Sequence, residues 1–190
     1  MIVPTPIHVE VVLVHAPVVN KKGETIGSAV TNLDLHDIAR AGKTFGVDTF
    51  WVVTPYQEQQ NLVNQITSHW TAGHGGKVAS DRAEALSIIK VSEDLDSVIA
   101  GSTQKNGQKP FILTTCAKDV SNQLHYKAVR DKIYNGVPVM LLFGTAWGLA
   151  PSAMEIADAT LPPIKGESSF NHLSVRSAVS IILDRLLSKG

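Results

Sequence analysis

Three short segments combine residue types that suit ligand binding through the main chain. Phe143-Gly144-Thr145-Ala146-Trp147-Gly148-Leu149 holds two glycines, which let backbone amides approach a ligand with no side chain in the way. Leu161-Pro162-Pro163-Ile164-Lys165-Gly166 holds two prolines, whose fixed φ makes a stiff wall. Glu167-Ser168-Ser169-Phe170-Asn171-His172-Leu173-Ser174 brings small polar side chains to the start of a helix free of glycine and proline. Gly-Thr-Ala-Trp-Gly is not the dinucleotide pattern G-x-G-x-x-G, and the chain has neither a P-loop nor a G-x-S-x-G elbow. His69 and His74 have no carboxylates at ligand spacing, so no metal is expected. The lone cysteine, Cys116, excludes a disulfide framework and reads as a small buried hydrophobe.

The elements that must position these segments alternate strand and helix. His8–His15 is a valine-rich strand, Pro17–Val30 a loop exposing Lys21 and Lys22, and a helix capped by Asp34 carries Leu35, Ile38, Ala39 and Gly42 to a stop at Phe45-Gly46. Thr49–Thr54 is a buried strand, and Gln57–Trp70 a helix with Leu62, Val63, Ile66 and Trp70 on one side. After the glycine-rich Ala72–Lys77 come a strand over Ala85–Val91, a helix over Ser92–Ala100 and a polar loop over Gly101–Lys109. A strand follows Pro110, then a helix over Asn122–Tyr134 and a strand over Val137–Phe143. Pro151–Ala157 is helical, Ala159–Leu161 a brief strand, and Ser174–Ser188 the last helix. The strands are continuously apolar, which requires burial on both faces. The expectation is an α/β fold with a mainly parallel sheet covered by helices on both faces. Ligands of such sheets bind outside the carboxyl ends of the strands, where the three segments fall.

Composition bounds the partners. The 190 residues suit one domain. Seventeen basic and seventeen acidic residues balance, so no global positive field marks a nucleic-acid binder. Charged residues make up only 18%, against a common ~25%, a shortfall that self-association explains. No secretory leader or membrane-length apolar run is found, and a single cysteine suits a reducing compartment. A cytoplasmic protein is expected.

The order of the three segments carries a resemblance. Phe-Gly-Thr-Ala-Trp-Gly-Leu-Ala-Pro-Ser, then Leu-Pro-Pro-Ile-Lys-Gly, then Phe-Asn-His-Leu-Ser-Val-Arg-Ser-Ala-Val-Ser-Ile-Ile-Leu-Asp-Arg-Leu-Leu resembles the C-terminal motifs of the SPOUT RNA methyltransferases. The branch it looks most similar to is related to the bacterial tRNA guanine-N1 enzymes. Asp34–Val47 resembles the first motif of the class, N-x-G-x-x-x-R-x-A-x-x-F-G-V, with Arg40, Phe45, Gly46 and Val47 in register. Asp34 stands in the asparagine position, His36 replaces a glycine, Gly42 an alanine, and Ala146-Trp147 replace the glutamate region of the second motif.

This resemblance implies a single domain over residues 1–190 with a deep trefoil knot over about 110–190, S-adenosylmethionine as methyl donor and no metal. It implies a homodimer acting on tRNA or rRNA, with no membrane partner. Carried over, the donor pocket is Thr114, Thr115, Leu142, Phe143, Gly144, Gly148, Leu149, Leu161, Pro162, Pro163, Ile164, Gly166, Asn171, His172, Leu173 and Ser174. Leu142, Pro163, Ile164 and Leu173 would form the adenine slot. Arg40 would orient a phosphate, since an arginine is almost never neutral. Asp37 would take a proton from a base nitrogen, and Arg176 would hold substrate or the donor carboxylate. Base nitrogen and ribose oxygen both remain open as acceptors, and the alternative is a module that binds donor and RNA without catalysis. The plainer readings are an Arg40–Asp37 surface pair, Asn171 and Ser174 as caps, and Arg176 paired with Glu167 or near Asp184. Trp147 reads equally as a core or dimer aromatic and as a stacking surface. A basic patch of Lys21, Lys22, Arg40, Lys43, Lys77 and Arg82 would face RNA, with Gly73–Lys77 as a clamp or a plain loop.

Overall fold

The valine-rich run near the amino terminus becomes the middle of the sheet. In the computed structural model, which describes residues 7–73 and 79–189, strand β1 (Val9–Val14) is buried along its whole length. It pairs in parallel with β4 (Thr49–Val53) on one side and β7 (Val139–Gly144) on the other. Beyond β4 lies β5 (Ile89–Ser92), and beyond β7 lie β6 (Phe111–Thr114) and β8 (Ala159–Thr160), giving the parallel order β5-β4-β1-β7-β6-β8. Val14 faces both Val53 and Gly144, and Thr114 faces both Leu142 and Thr160, so the carboxyl ends of five strands share one edge.

Alternation along β1 divides the core. Val9, Val11 and Leu13 pack on one face with Leu35, Ile38, Leu141, Phe143 and Leu183. Val12 and Val14 pack on the other with Ile112, Met140, Leu142, Val98 and Ala153. The first layer is covered by α1 (Asn32–Phe45), α2 (Gln57–Thr71), α3 (Ser80–Leu86), α5 (Tyr126–Tyr134) and α7 (Val175–Leu187), the second by α4 (Leu95–Asn106) and α6 (Pro151–Glu155).

Several boundaries differ from the sequence reading. Helix α1 is capped by Thr31, whose Oγ1 accepts from the Asp34 amide, so Asp34 lies inside the first turn. Pro17–Val30 is not all loop: β2 (Val18–Val19) and β3 (Thr25–Ile26) form a small antiparallel hairpin. Ala85 and Leu86 close α3, and the strand begins only at Ile89. Helix α4 starts after the Asp94 cap and runs through Gly101 to Asn106, across the expected loop. Helix α5 starts at Tyr126, four residues later than its pattern suggests. Leu62 is partly exposed, leaving Val63 as the fully buried residue of α2.

Candidate functional site

The glycine-rich segment leaves β7 as a tight turn, the Gly148 amide donating to the Thr145 carbonyl at 3.0 Å. Ala146 occupies the left-handed region with φ 53°, and Gly148 has φ 113°. A Cβ on Gly144 would lie 2.5 Å from the Leu149 nitrogen, so only glycine lets the two arms of this turn approach. The hairpin clamps the turn from outside: Trp147 N donates to Val19 O at 3.0 Å, Val19 N to Gly148 O at 2.9 Å, and Ala150 N to Pro17 O at 3.2 Å.

Beneath the turn runs a side-chain chain that the sequence does not announce. His15 Nδ1 lies 3.0 Å from Ser28 Oγ, which lies 2.5 Å from Thr145 Oγ1. Thr145 Oγ1 in turn donates to the Val14 carbonyl at 3.0 Å. His15 is fully buried, and among the described residues its Nε2 has no partner. Burial lowers its pKa to about 4, against the opposing pull of Asp34 and the Ala29 carbonyl. The ring is therefore neutral at neutral pH.

The other two loops are tied to the exit of β6. Thr115 donates to the Leu142 carbonyl from both its amide, at 3.2 Å, and its hydroxyl, at 3.0 Å. Asn171 Nδ2 donates to Ala117 O at 2.9 Å, and Lys165 pairs with Asp119, whose carboxyl it holds below the usual range. The Tyr126 hydroxyl donates to Pro162 O at 3.4 Å.

A second cluster joins the first and last helices. Arg176 reaches from α7 to two carboxylates of α1, Nη1 to Asp34 Oδ1 at 3.2 Å and Nε to Asp37 Oδ2 at 3.3 Å. Asp34 is also held by the Thr31 hydroxyl at 2.6 Å. Asp37 thus pairs with Arg176 and not with Arg40, and Arg176 with neither Glu167 nor the Asp184 neighbourhood. Arg40 is exposed one turn along; with Arg82 it bears on His36, whose pKa is lowered by burial first and then by Arg82.

The expected pocket residues divide into two groups. Thr114, Leu142 and Phe143 have at most 1% exposure: Thr114 bonds Thr160, and Leu142 and Phe143 fill opposite core layers. Leu142 thus offers the cleft no side chain, and the slot read from the sequence reduces to Pro163, Ile164 and Leu173, of which Pro163 is buried. Leu149 and Leu161 are buried too, whereas Thr115, Gly144, Gly148, Pro162 and Ile164 are half-buried. Gly166, Asn171, His172, Leu173 and Ser174 are exposed, and Ser174 also caps α7. Two open clefts of about 420 and 440 Å3 lie elsewhere along this edge, the first against Ser28 and Tyr56, the second against Pro17 and Ala153. The expected basic patch is divided: Lys43 pairs with Glu84, Arg82 stacks 4.5 Å from the Trp70 ring centroid, and Lys21 and Lys22 stand on the hairpin. His74, Lys77 and most of the glycine-rich Gly73–Lys77 lie outside the described residues. Among the described residues no cluster of three or more metal-ligating side chains occurs.

Stiff apolar residues beside exposed polar ones, next to a glycine turn, fit a nucleoside-bearing donor. Comparison with known proteins agrees with that chemistry. The model of the SAM-dependent RNA methyltransferase family matches residues 8–188, and the chain belongs to that family. A tRNA (guanine-N(1)-)-methyltransferase of Nitratidesulfovibrio vulgaris is 43% identical over 175 residues, covering 92% of this chain and 41% of that protein. The chain therefore spans about two fifths of that relative's length. An uncharacterised Aquifex aeolicus protein is 33% identical over 96% of this chain and 90% of its own. The fold is that of a TrmH/SpoU tRNA-modifying enzyme from A. aeolicus, at TM-score 0.59 and 16% identity over 97% of this chain and 76% of that one. The parallel α/β expectation and the family resemblance both hold.

Proposed function

We propose that the chain transfers a methyl group from S-adenosylmethionine to tRNA or rRNA at the carboxyl edge of β6, β7 and β8. The observation that carries this reading is the convergence of three separate loops there through the Thr115–Leu142, Asn171–Ala117 and Lys165–Asp119 bonds. Thr115, the main chain of Leu142–Gly144, Gly148, Pro162–Ile164, Gly166 and Asn171–Ser174 would hold the donor. When bound, the sulfonium supplies an already activated methyl group. What is left to the chain is to align the acceptor and accept its proton. Asp37, half-exposed and fixed by Arg176, takes the proton of a base nitrogen. Arg40 orients a phosphate, and Arg176 holds the two carboxylates in place. The reading extends to a cytoplasmic homodimer of one domain, with the chain after β8 threaded as a trefoil knot within about residues 110–190. The activity named for the Nitratidesulfovibrio relative makes guanine N1 of tRNA the first acceptor to test.

Calorimetric titration with S-adenosylmethionine and S-adenosylhomocysteine should give one site per chain. Arg40→Ala should keep donor affinity and lose methyl incorporation into unfractionated tRNA. A folded wild-type protein that binds neither compound overturns the reading. Gly144→Val is a poor probe of this pocket, because a Cβ there meets the turn's own backbone; at Gly166 a Cβ meets nothing within 4 Å among the described residues, so that position accepts a side chain without the collision.

A further inference from the structure

We infer that Trp147 is the stacking platform for an unpaired nucleotide of the RNA substrate, with Lys21 and Lys22 contacting its phosphates; this assignment rests on the methyl-transfer reading of the adjoining loop. Trp147 is 63% exposed, three residues beyond Gly144. Its presentation is imposed by the backbone. Ala146, just before it, holds φ 53°, the only positive φ among the described non-glycine residues, a conformation that persists only where the surroundings over-determine it. Here the surroundings are the hairpin, which fixes the Trp147 amide and the Gly148 carbonyl through Val19. The strained turn therefore holds an indole outward at the edge where the methyl group is delivered.

The hairpin adds the charge. Lys21 Nζ lies 6.0 Å from the Trp147 ring centroid, and Lys22 is exposed beside it. Both sit on a preformed turn in which Asn20 Oδ1 accepts from the amides of Lys22 and Glu24, at 2.8 and 3.0 Å. The Glu24 carboxylate is engaged by Asn20 Nδ2 at 2.7 Å. An exposed indole with one ammonium group over its ring and a second lysine on the same turn suits a nucleotide, whose base offers a π-face of any sequence and whose phosphate binds cations. A second copy of this chain would meet the Lys21 charge over the ring.

The test compares wild type, Trp147→Phe, Trp147→Ala and the double variant Lys21→Ala/Lys22→Ala for affinity to unfractionated tRNA, donor affinity and solution mass. Trp147→Ala should weaken tRNA binding by about tenfold at unchanged donor affinity and mass, and Trp147→Phe should restore most of it. The double lysine variant should lower the slope of log affinity against log salt. Unchanged tRNA affinity in Trp147→Ala, or a shift in mass in its place, overturns the assignment. A wild-type protein that binds no donor overturns the methyl-transfer reading, and the platform with it.

Discussion

His15 shows what a single position does under the candidate site. Thr145 donates to Val14, so the Ser28 proton points to Thr145 and the His15 Nδ1 proton to Ser28, leaving Nε2 as a buried lone pair. Its folded pKa of about 4 lies below the ordinary 6.5. The unfolded chain therefore takes up a proton near 6.5 that the native state refuses until about 4. The group's full stabilisation is present above pH 6.5 and is lost as pH falls towards 4, by about 3 kcal/mol. His15→Gln should flatten that part of the stability profile, as read by urea unfolding at pH 7, 5.5 and 4.5; an unchanged slope would remove His15 as its cause. The sequence shows His15 only as the last residue of a strand. Its partners stand 13 and 130 positions away along the chain, and no spacing rule joins them.

At the level of elements, local signals fixed what short-range chemistry decides and missed what packing decides. Thr31-x-x-Asp34 has the spacing of a cap, since hydroxyl and amide meet within one turn, but the sequence reading places the cap at Asp34 itself. Thr31→Ala should cost about 1 kcal/mol, seen as a lower thermal midpoint, and should loosen Asp34 from Arg176. Helix α4 is different. Gly101 argues for a loop, yet the helix continues through it, because that face lies against Trp51, whose ring would be 3.7 Å from an added Cβ. The hairpin was equally hidden: two-residue strands have too little pattern to detect, and these are held by a turn more than 120 residues later. The three loops themselves were legible from their glycines and prolines, and their order from the family resemblance. The burial of Thr114, Leu142 and Phe143 was not, since it follows from the parallel pairing of β6, β7 and β8.

For the whole molecule, the proposed dimer needs an apolar surface. Leu33 and Leu173 are 61% and 44% exposed, and the Arg176–Asp34 bridge brings their helix starts side by side. Phe170, at 74%, stands three residues before Leu173. This apolar corner is where the proposed two-fold contact belongs. Sedimentation should give a dimer for wild type and a monomer for Leu33→Glu; a wild-type monomer would refute the dimer. The bridge also imposes an order in time. Arg176 meets a carboxylate made 142 residues earlier, and β1 cannot gain its second neighbour until Val139–Gly144 exists. A ribosome that has translated only the first two thirds of this chain has therefore made a half-sheet with one raw edge. The Arg176-bridged carboxylates and the contacts that tie the last loops to β6 form only after α7 has been made.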